Sequence, residues 1–279
     1  MKIVIIGKGQ IGSALFDALH THEITQWAHD IADLSSDALE RLSPDVVINA
    51  AGRTDLRWCE DHAREAFRSN VEAPLELYLR IQRMKHRPRY LHFSSGCVWD
   101  GPYDENGKPF TPASAPTPAA YYSWTKASCD ALLLQRDPGG VAILRPRQVF
   151  SHNPSPRSTL TKLCAYEGLI DTPNSVSSIE IITKTVRYLL DGVDWTGIWN
   201  IYDKGVTTPF TIGKMLAEAG LRKEPKPLTK SELDSFHKPK RVDTVLYDER
   251  FERLIKPDDV TSVLHRMIDA YATNIGVTS

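Results

Sequence analysis

The segment "KIVIIGKGQIG", Lys2 to Gly12, decides the fold. Ile3, Val4, Ile5 and Ile6 form an unbroken β-branched run, the pattern of a strand buried on both faces. Gly7, Gly9 and Gly12 follow at G-x-G-x-x-G spacing, and a helical stretch opens at about Ile11. The first glycine permits a tight turn, the second lets a pyrophosphate reach the backbone, and the third lets helix and strand pack closely. The free N–H groups at the start of the helix then face the phosphates. Gly7, Gly9, Gln10, Ile11 and Gly12 are therefore expected to line a dinucleotide.

Outward from that loop, strand and helical patterns alternate: a strand at Glu23 to Trp27, a helix around Asp37 to Leu42, and a strand at Asp45 to Asn49. A long helix is expected from Asp61 to Lys85, then a strand from Arg89 to Ser94, a helix from Ala120 to Gln135 and a strand from Val141 to Leu144. The repeat predicts an α/β fold, a doubly wound parallel sheet of the Rossmann type with a smaller C-terminal substrate-binding lobe. The dinucleotide-binding domain is expected over 1–150 and the lobe over 151–279, with segments around 170–203 returning to the first domain. "GIWNIYD" (Gly197 to Asp203) reads as a strand and Pro257 to Asn274 as a closing amphipathic helix.

Composition narrows the function. Lys+Arg 34 against Asp+Glu 35 gives a net charge of -1 with no basic cluster, so neither nucleic acid nor a membrane surface is expected as partner. The first apolar run ends at Gly7 and no later run approaches a span, so a soluble, cytoplasmic protein is expected. Cys59, Cys97, Cys129 and Cys164 lack paired spacing and a nearby histidine cluster, so neither a disulfide framework nor a metal site is expected.

At the end of the second strand, "QWAHDIADLSS" leaves the cofactor open. Asp30 suits an unphosphorylated ribose, while Lys8 and His29 suit a 2'-phosphate and favour NADPH over NADH. Asp33, with Leu34 beside it, is placed to accept from the adenine amino group or to cap the next helix. Further on, "YYSWTK" sets Tyr122 and Lys126 one helical turn apart on one face. The lysine charge lowers the tyrosine pKa toward values useful for proton transfer at neutral pH. Ser95, at the tip of the preceding strand in "LHFSSGCVWDG", can orient the carbonyl that Tyr122 protonates.

With the glycine loop, Ser95, Tyr122 and Lys126 in place, the chain resembles the extended short-chain dehydrogenase/reductase family over nearly its whole length. That resemblance adds Ala50, Ala51 and Gly52 of "NAAG" and Asn70 of "SNVEAP" to the cofactor site, and it allows a homodimer. The chain's loop is one residue shorter than the family's usual G-x-x-G-x-x-G. Within the family it is most similar to nucleotide-sugar 4-keto reductases of the dTDP-4-dehydrorhamnose reductase type. "AGRTDLRWCEDH", "FSSGCVWD", "YYSWTKASCDALL", "LRPRQVF", "STLTK", "DTPNSV" and "GIWNIYDKGV" are similar to the bifunctional 3,5-epimerase/4-reductase of plant UDP-rhamnose synthesis.

The substrate so implied is a nucleotide-diphosphate 4-keto-6-deoxy sugar. Its ketone acidifies the hydrogens at C3 and C5, and the resemblance makes Cys97 the base and Lys162 of "STLTK" the opposing acid, with His152 as the alternative. Arg147, Asn174, Arg241 and Lys240 are candidates for the substrate diphosphate. A reductase without epimerase activity and a non-catalytic dinucleotide-binding subunit are the rival readings. The intact Ser95, Tyr122 and Lys126 speak against the second.

Overall fold

The computed structural model describes residues 1–137, 139–192 and 194–277. In chain order the first half holds β1 (Lys2–Ile6), α1 (Gln10–Ala18), β2 (Glu23–Trp27), α2 (Ser36–Leu42), β3 (Val46–Asn49), α3 (Leu56–Asp61), α4 (Ala63–Phe67), α5 (Ala73–Gln82) and β4 (Arg89–Phe93). It continues through α6 (Tyr121–Arg136) and β5 (Val141–Pro146). The second half holds β6 (Val149–Phe150), α7 (Thr159–Ala165), β7 (Gly168–Ile170), β8 (Ser177–Ser178), α8 (Ile179–Asp191), β9 (Gly197–Ile201), α9 (Pro209–Glu218), β10 (Lys226–Leu228), α10 (Lys230–Phe236), α11 (Glu249–Ile255) and α12 (Val260–Asn274).

The central sheet has six strands in the order β2-β1-β3-β4-β5-β9, with parallel pairing from β2 through β5. The run Ile3 to Ile6 is buried, as are all four residues of β3, because both faces of these inner strands are covered. β2, at the edge, is only partly buried. The order reverses between β1 and β3, where a doubly wound sheet opens a crevice at its carboxyl ends. Gly7 follows β1 there, and Ala50 follows β3.

The single long helix expected over 61–85 is a correction. The segment starts earlier, at Leu56, where the Asp55 carboxylate accepts the Trp58 N–H at 2.8 Å. It breaks at His62, which leaves helical geometry at φ -129°, ψ 55°, while its ring stacks on Trp58 with centroids 4.7 Å apart. It widens into one π turn at Arg68–Glu72 before α5. Pro74 explains the wide turn: it has no N–H to give the Asn70 carbonyl, and its ring would crowd that oxygen in a regular helix.

The chain divides into two compact units, one of Met1–Val98, Pro116–Arg145 and Thr183–Trp199, the other of Trp99–Ala115, Pro146–Ile182 and Asn200–Ser279. The second has its own apolar core, in which Phe150, Leu160, Leu169 and Val176 pack with Ile212, Leu216, Leu264 and Ile268 of α9 and α12. Two short parallel pairs, β6 with β8 and β7 with β10, belong to it. Among the described residues no helix is long and apolar enough to cross a membrane.

Candidate active site

Steric geometry gives each glycine of the first loop a distinct role. Gly7 has φ 101°, and a Cβ there would stand 3.0 Å from the Ala51 nitrogen; a Cβ on Gly12 would stand 2.3 Å from the Gly7 carbonyl oxygen. Only glycine lets α1 lie this close to the end of β1. A Cβ on Gly9 would meet nothing within 4 Å, so that face is open. Gly9 is also the N-cap of α1 and carries no capping side chain, and the first turn has no acidic residue. The helix start is thus free to take an anion. Gln10 adds a buried amide nitrogen without a hydrogen-bond partner, while Ile11 is half-buried and Gly12 buried. A cradle without side chains beside an unsatisfied donor fits a dinucleotide pyrophosphate.

The end of β2 identifies two helix caps. The Asp30 carboxylate accepts the Ala32 N–H at 2.9 Å and so caps the short 3-10 turn Ile31–Asp33. The cap of α2 is Ser35, whose hydroxyl accepts the Ala38 N–H at 3.2 Å, so Asp33 does not serve as that cap. Asp33 remains exposed, and the Leu34 side chain is buried in the core beneath it. From α5, Arg80 donates to the carbonyls of Ile31 at 3.0 Å and Leu34 at 2.7 Å. That brace was not anticipated, because nothing in sequence links residue 80 to the loop at 31–34. Lys8 and His29 are exposed.

On the other side of the crevice, Ala50 donates its N–H to the Ile6 carbonyl and Ala51 donates to the Asn49 side chain at 3.1 Å. Asn70, turned inward by the π turn, clamps the next residue twice: its Oδ1 accepts the Arg53 N–H at 2.8 Å and its Nδ2 donates to the Arg53 carbonyl at 2.9 Å. The same Nδ2 reaches Thr125 of α6 at 3.1 Å. Gly52 is thereby held against Lys126, whose Nζ would be 3.9 Å from a Cβ at residue 52. The loop after β3 and helix α6 are joined through one amide.

Along α6, Tyr122, Lys126, Cys129, Asp130 and Leu133 form the buried face. Lys126 is 3% exposed and donates from Nζ to the Phe93 carbonyl at 2.7 Å. Burial pulls its pKa down, and the Cys129 thiol and the Asp130 carboxylate push it back up. His92, fully buried on β4 near that ammonium, is held far below the usual imidazole range by burial first and by Lys126 second. Ser95 lies two residues beyond the carbonyl that holds Lys126, and its Oγ accepts the Cys97 N–H at 3.1 Å, which leaves the hydroxyl proton for another acceptor. This arrangement can hold a carbonyl oxygen, keep a cation beneath a tyrosine and deliver a proton.

Cys97 occupies a short 3-10 turn, Gly96–Val98, half-buried in a cluster with Tyr121, Tyr122, Trp58 and Cys59. Burial pushes the neighbouring Cys59 thiol up to about 11, which keeps it protonated at neutral pH. Lys162 and His152 are half-buried in the second unit, Lys162 on α7. Asn174 is fully buried and braces its own unit: Nδ2 donates to Asp243 at 2.7 Å and Oδ1 accepts the Thr244 N–H at 2.9 Å. Arg147 is buried too; its N–H reaches Ser177 Oγ and its guanidinium donates to the Val242 carbonyl. Arg241 is exposed and its carbonyl accepts from Lys230, while Lys240 pairs with Asp100 at 2.9 Å. Both ends of the Asn174 amide are engaged within its own unit.

A family model described as the RmlD substrate binding domain matches residues 1–272. Over 230 residues the chain is 31% identical to a trifunctional UDP-glucose 4,6-dehydratase/UDP-4-keto-6-deoxy-D-glucose 3,5-epimerase/UDP-4-keto-L-rhamnose-reductase of Arabidopsis thaliana, covering 75% of this chain and 32% of that protein. It therefore spans about a third of that relative's length. The L780 UDP-rhamnose synthase of Acanthamoeba polyphaga mimivirus has the same fold, with TM-score 0.84 at 21% identity over 96% of this chain and 99% of that one. The dTDP-4-dehydrorhamnose reductase of Bacillus anthracis in complex with NADP aligns with TM-score 0.79 at 16% identity, covering 95% and 97%. A glycine cradle, a tyrosine and lysine on one buried helical face, and a family model that runs along nearly the whole sequence lead to one assignment: the chain belongs to the RmlD substrate binding domain family.

Proposed function

We propose that the chain is an NAD(P)H-dependent reductase of a nucleotide-linked 4-keto-6-deoxyhexose, and that it inverts C3 and C5 of the sugar before reduction to give a rhamnose-type product. The observation that carries the reduction is the buried Lys126, one turn from Tyr122 and bonded to the strand tip that leads to Ser95. Bound NADPH or NADH supplies the hydride, and the loop at Gly7, Gly9, Gln10 and Gly12 holds its pyrophosphate. NADPH is the preferred form, in keeping with Lys8 and His29 near the ribose and with the NADP held by the Bacillus anthracis relative. The Ser95 hydroxyl donates to the sugar ketone, Tyr122 gives the proton that makes it an alcohol, and Lys126 stabilises the tyrosinate left behind.

Epimerisation uses the same ketone. Removing the hydrogen at C3 or C5 leaves an enolate whose oxygen Ser95 and Tyr122 hold, and reprotonation from the other face inverts the centre. Cys97, two residues from Ser95, is the base, and Lys162 is the acid by similarity to the plant enzymes. The relative from Arabidopsis thaliana, which carries both activities in its name, supports this reading. The same resemblance carries a homodimer, which sedimentation would read.

A deuterium experiment separates the two steps. UDP-4-keto-6-deoxyglucose is incubated with enzyme and oxidised NADP in deuterated water, where no hydride is available. Deuterium at C3 and C5 is expected, lost in Cys97→Ala, while that variant still reduces sugar already epimerised by another enzyme. Reduction of pre-epimerised sugar by the wild type without any exchange would establish the reductase alone and make Cys97 a packing residue.

A further inference from the structure

Behind the catalytic face lies a buried ion pair that the reaction as described does not use. Asp130 follows Lys126 by one turn of α6, and its Oδ2 accepts hydrogen bonds at 2.8 Å from Ser94 Oγ and from Arg145 Nε, with a terminal nitrogen of Arg145 on β5 in ion-pair contact, also at 2.8 Å. Its Oδ1 is buried without a hydrogen-bond partner. Both charged side chains are almost wholly buried, at 3% and 2% exposure. A buried pair of this kind adds little net stability over an apolar pair of the same size, so its presence calls for another reason.

Its position supplies one. Phe93, Ser94 and Ser95 are consecutive at the tip of β4; the Phe93 carbonyl holds Lys126, the Ser94 hydroxyl holds Asp130, and Ser95, the proposed ketone donor, comes next. Two adjacent residues of the strand are thus tied to two residues one turn apart on the helix. We propose that Asp130 is a positioning residue of the reduction, which fixes the strand tip carrying Ser95 against the helix carrying Tyr122 and keeps Lys126 charged from one turn below. The inference rests on the reductase reading for its consequence in turnover, not for the charge on Lys126.

Other groups around the pair act in the same field. His92 of β4 is neutral and Cys129 of α6 is a protonated thiol, pushed by burial up to about 12. Arg145 of β5 pairs with Asp130, and Tyr122, with Cys59 of α3 and Cys97 packed on it, completes the surround. Asp130 is therefore the only carboxylate among the described residues to act on the Lys126 ammonium.

The test reads Lys126 without substrate. In protein labelled with 13C at the lysine ε-carbon, the Lys126 signal is assigned by its absence from Lys126→Met and titrated with pH. Asp130→Asn removes the charge that the Arg145 guanidinium faces in the core, so the Asp130→Asn/Arg145→Gln double variant, neutral at both ends, is measured beside it. Removing the carboxylate charge should lower the Lys126 midpoint by about one pH unit, the lower end of the effect of an adjacent charge. Ser94→Ala, which keeps both charges, should leave it in place. A folded double variant with an unmoved midpoint overturns the proposal, as does an equal shift in Ser94→Ala. With an accepted 4-keto sugar, the alkaline limb of kcat/KM should fall with the midpoint. Absence of wild-type turnover would count against the reductase reading alone, because the midpoint is read without turnover.

Discussion

Gly9→Val and Gly12→Ala should separate the part of the glycine loop that meets the ligand from the part that meets the protein. A Cβ on Gly12 would stand 2.3 Å from the Gly7 carbonyl oxygen, about 1 Å inside ordinary contact. Helix α1 must then retreat from β1, and overpacking of this kind costs about 1–3 kcal/mol. In a protein of this size that lowers Tm by about 2–5 °C, with or without cofactor. Gly9, at φ -81° and ψ -173°, is in an extended conformation open to any residue, and nothing stands within 4 Å of its Cβ position. Gly9→Val should therefore melt with the wild type, within about 1 °C, yet bind NADPH and NADH at least about tenfold more weakly, a loss of about 1.4 kcal/mol. Thermal melts of the free proteins and fluorescence titrations with both cofactors measure the two effects. Wild-type affinity in Gly9→Val would refute the placement of the pyrophosphate, and an equal loss of Tm in both variants would refute the steric argument.

Tyr122→Phe keeps the ring and removes the proton donor, so reduction should fall by at least about a hundredfold with an unchanged melt; near-normal turnover would transfer the role to Tyr121. Arg80→Ala removes two hydrogen bonds to the Ile31 and Leu34 carbonyls, so the dissociation constants for NADPH and NADH should both rise while kcat at saturating cofactor stays the same. Unchanged affinity for both would detach Arg80 from the cofactor site.

Sequence legibility followed the range of the interactions. The run Ile3 to Ile6, the glycine spacing and the four-residue step from Tyr122 to Lys126 are local signals, and the backbone periods alone give them a direction. The helix expected over 61–85 failed because hydrophobic period does not register a single non-helical residue such as His62, and because the wide turn before Pro74 depends on one carbonyl four residues back. The cap of α2 could not be assigned between Asp33 and its neighbours from sequence, and in the structure it is Ser35. Arg80, Thr125 and Ser94 were missed for another reason: their partners lie 36 to 55 residues away in sequence and become neighbours only when the sheet is assembled. A signal did exist for Asp130 and Arg145, since an aspartate one turn past the motif lysine and an arginine inside the apolar strand "VAILRP" both imply buried partners.

The tyrosine-lysine motif is therefore an incomplete description of the machinery it marks. A lysine at 3% exposure loses its charge unless something offsets the removal of water, and burial is the largest influence on Lys126. The offset comes from outside the motif: the Phe93 carbonyl on β4, the Asp130 carboxylate one turn on, and the Arg145 guanidinium on β5 that makes a buried carboxylate tolerable. Each compensator carries its own need for a partner, so the demand passes from helix to strand until Ser94 and Arg145 meet it at one oxygen of Asp130. That chain of requirements falls where the end of β4 meets α6, so that strand carbonyls and helix side chains reach one buried cation together. A tyrosine and lysine at the same spacing on an exposed helix would share the motif but lack the desolvated cation on which the proposed chemistry depends.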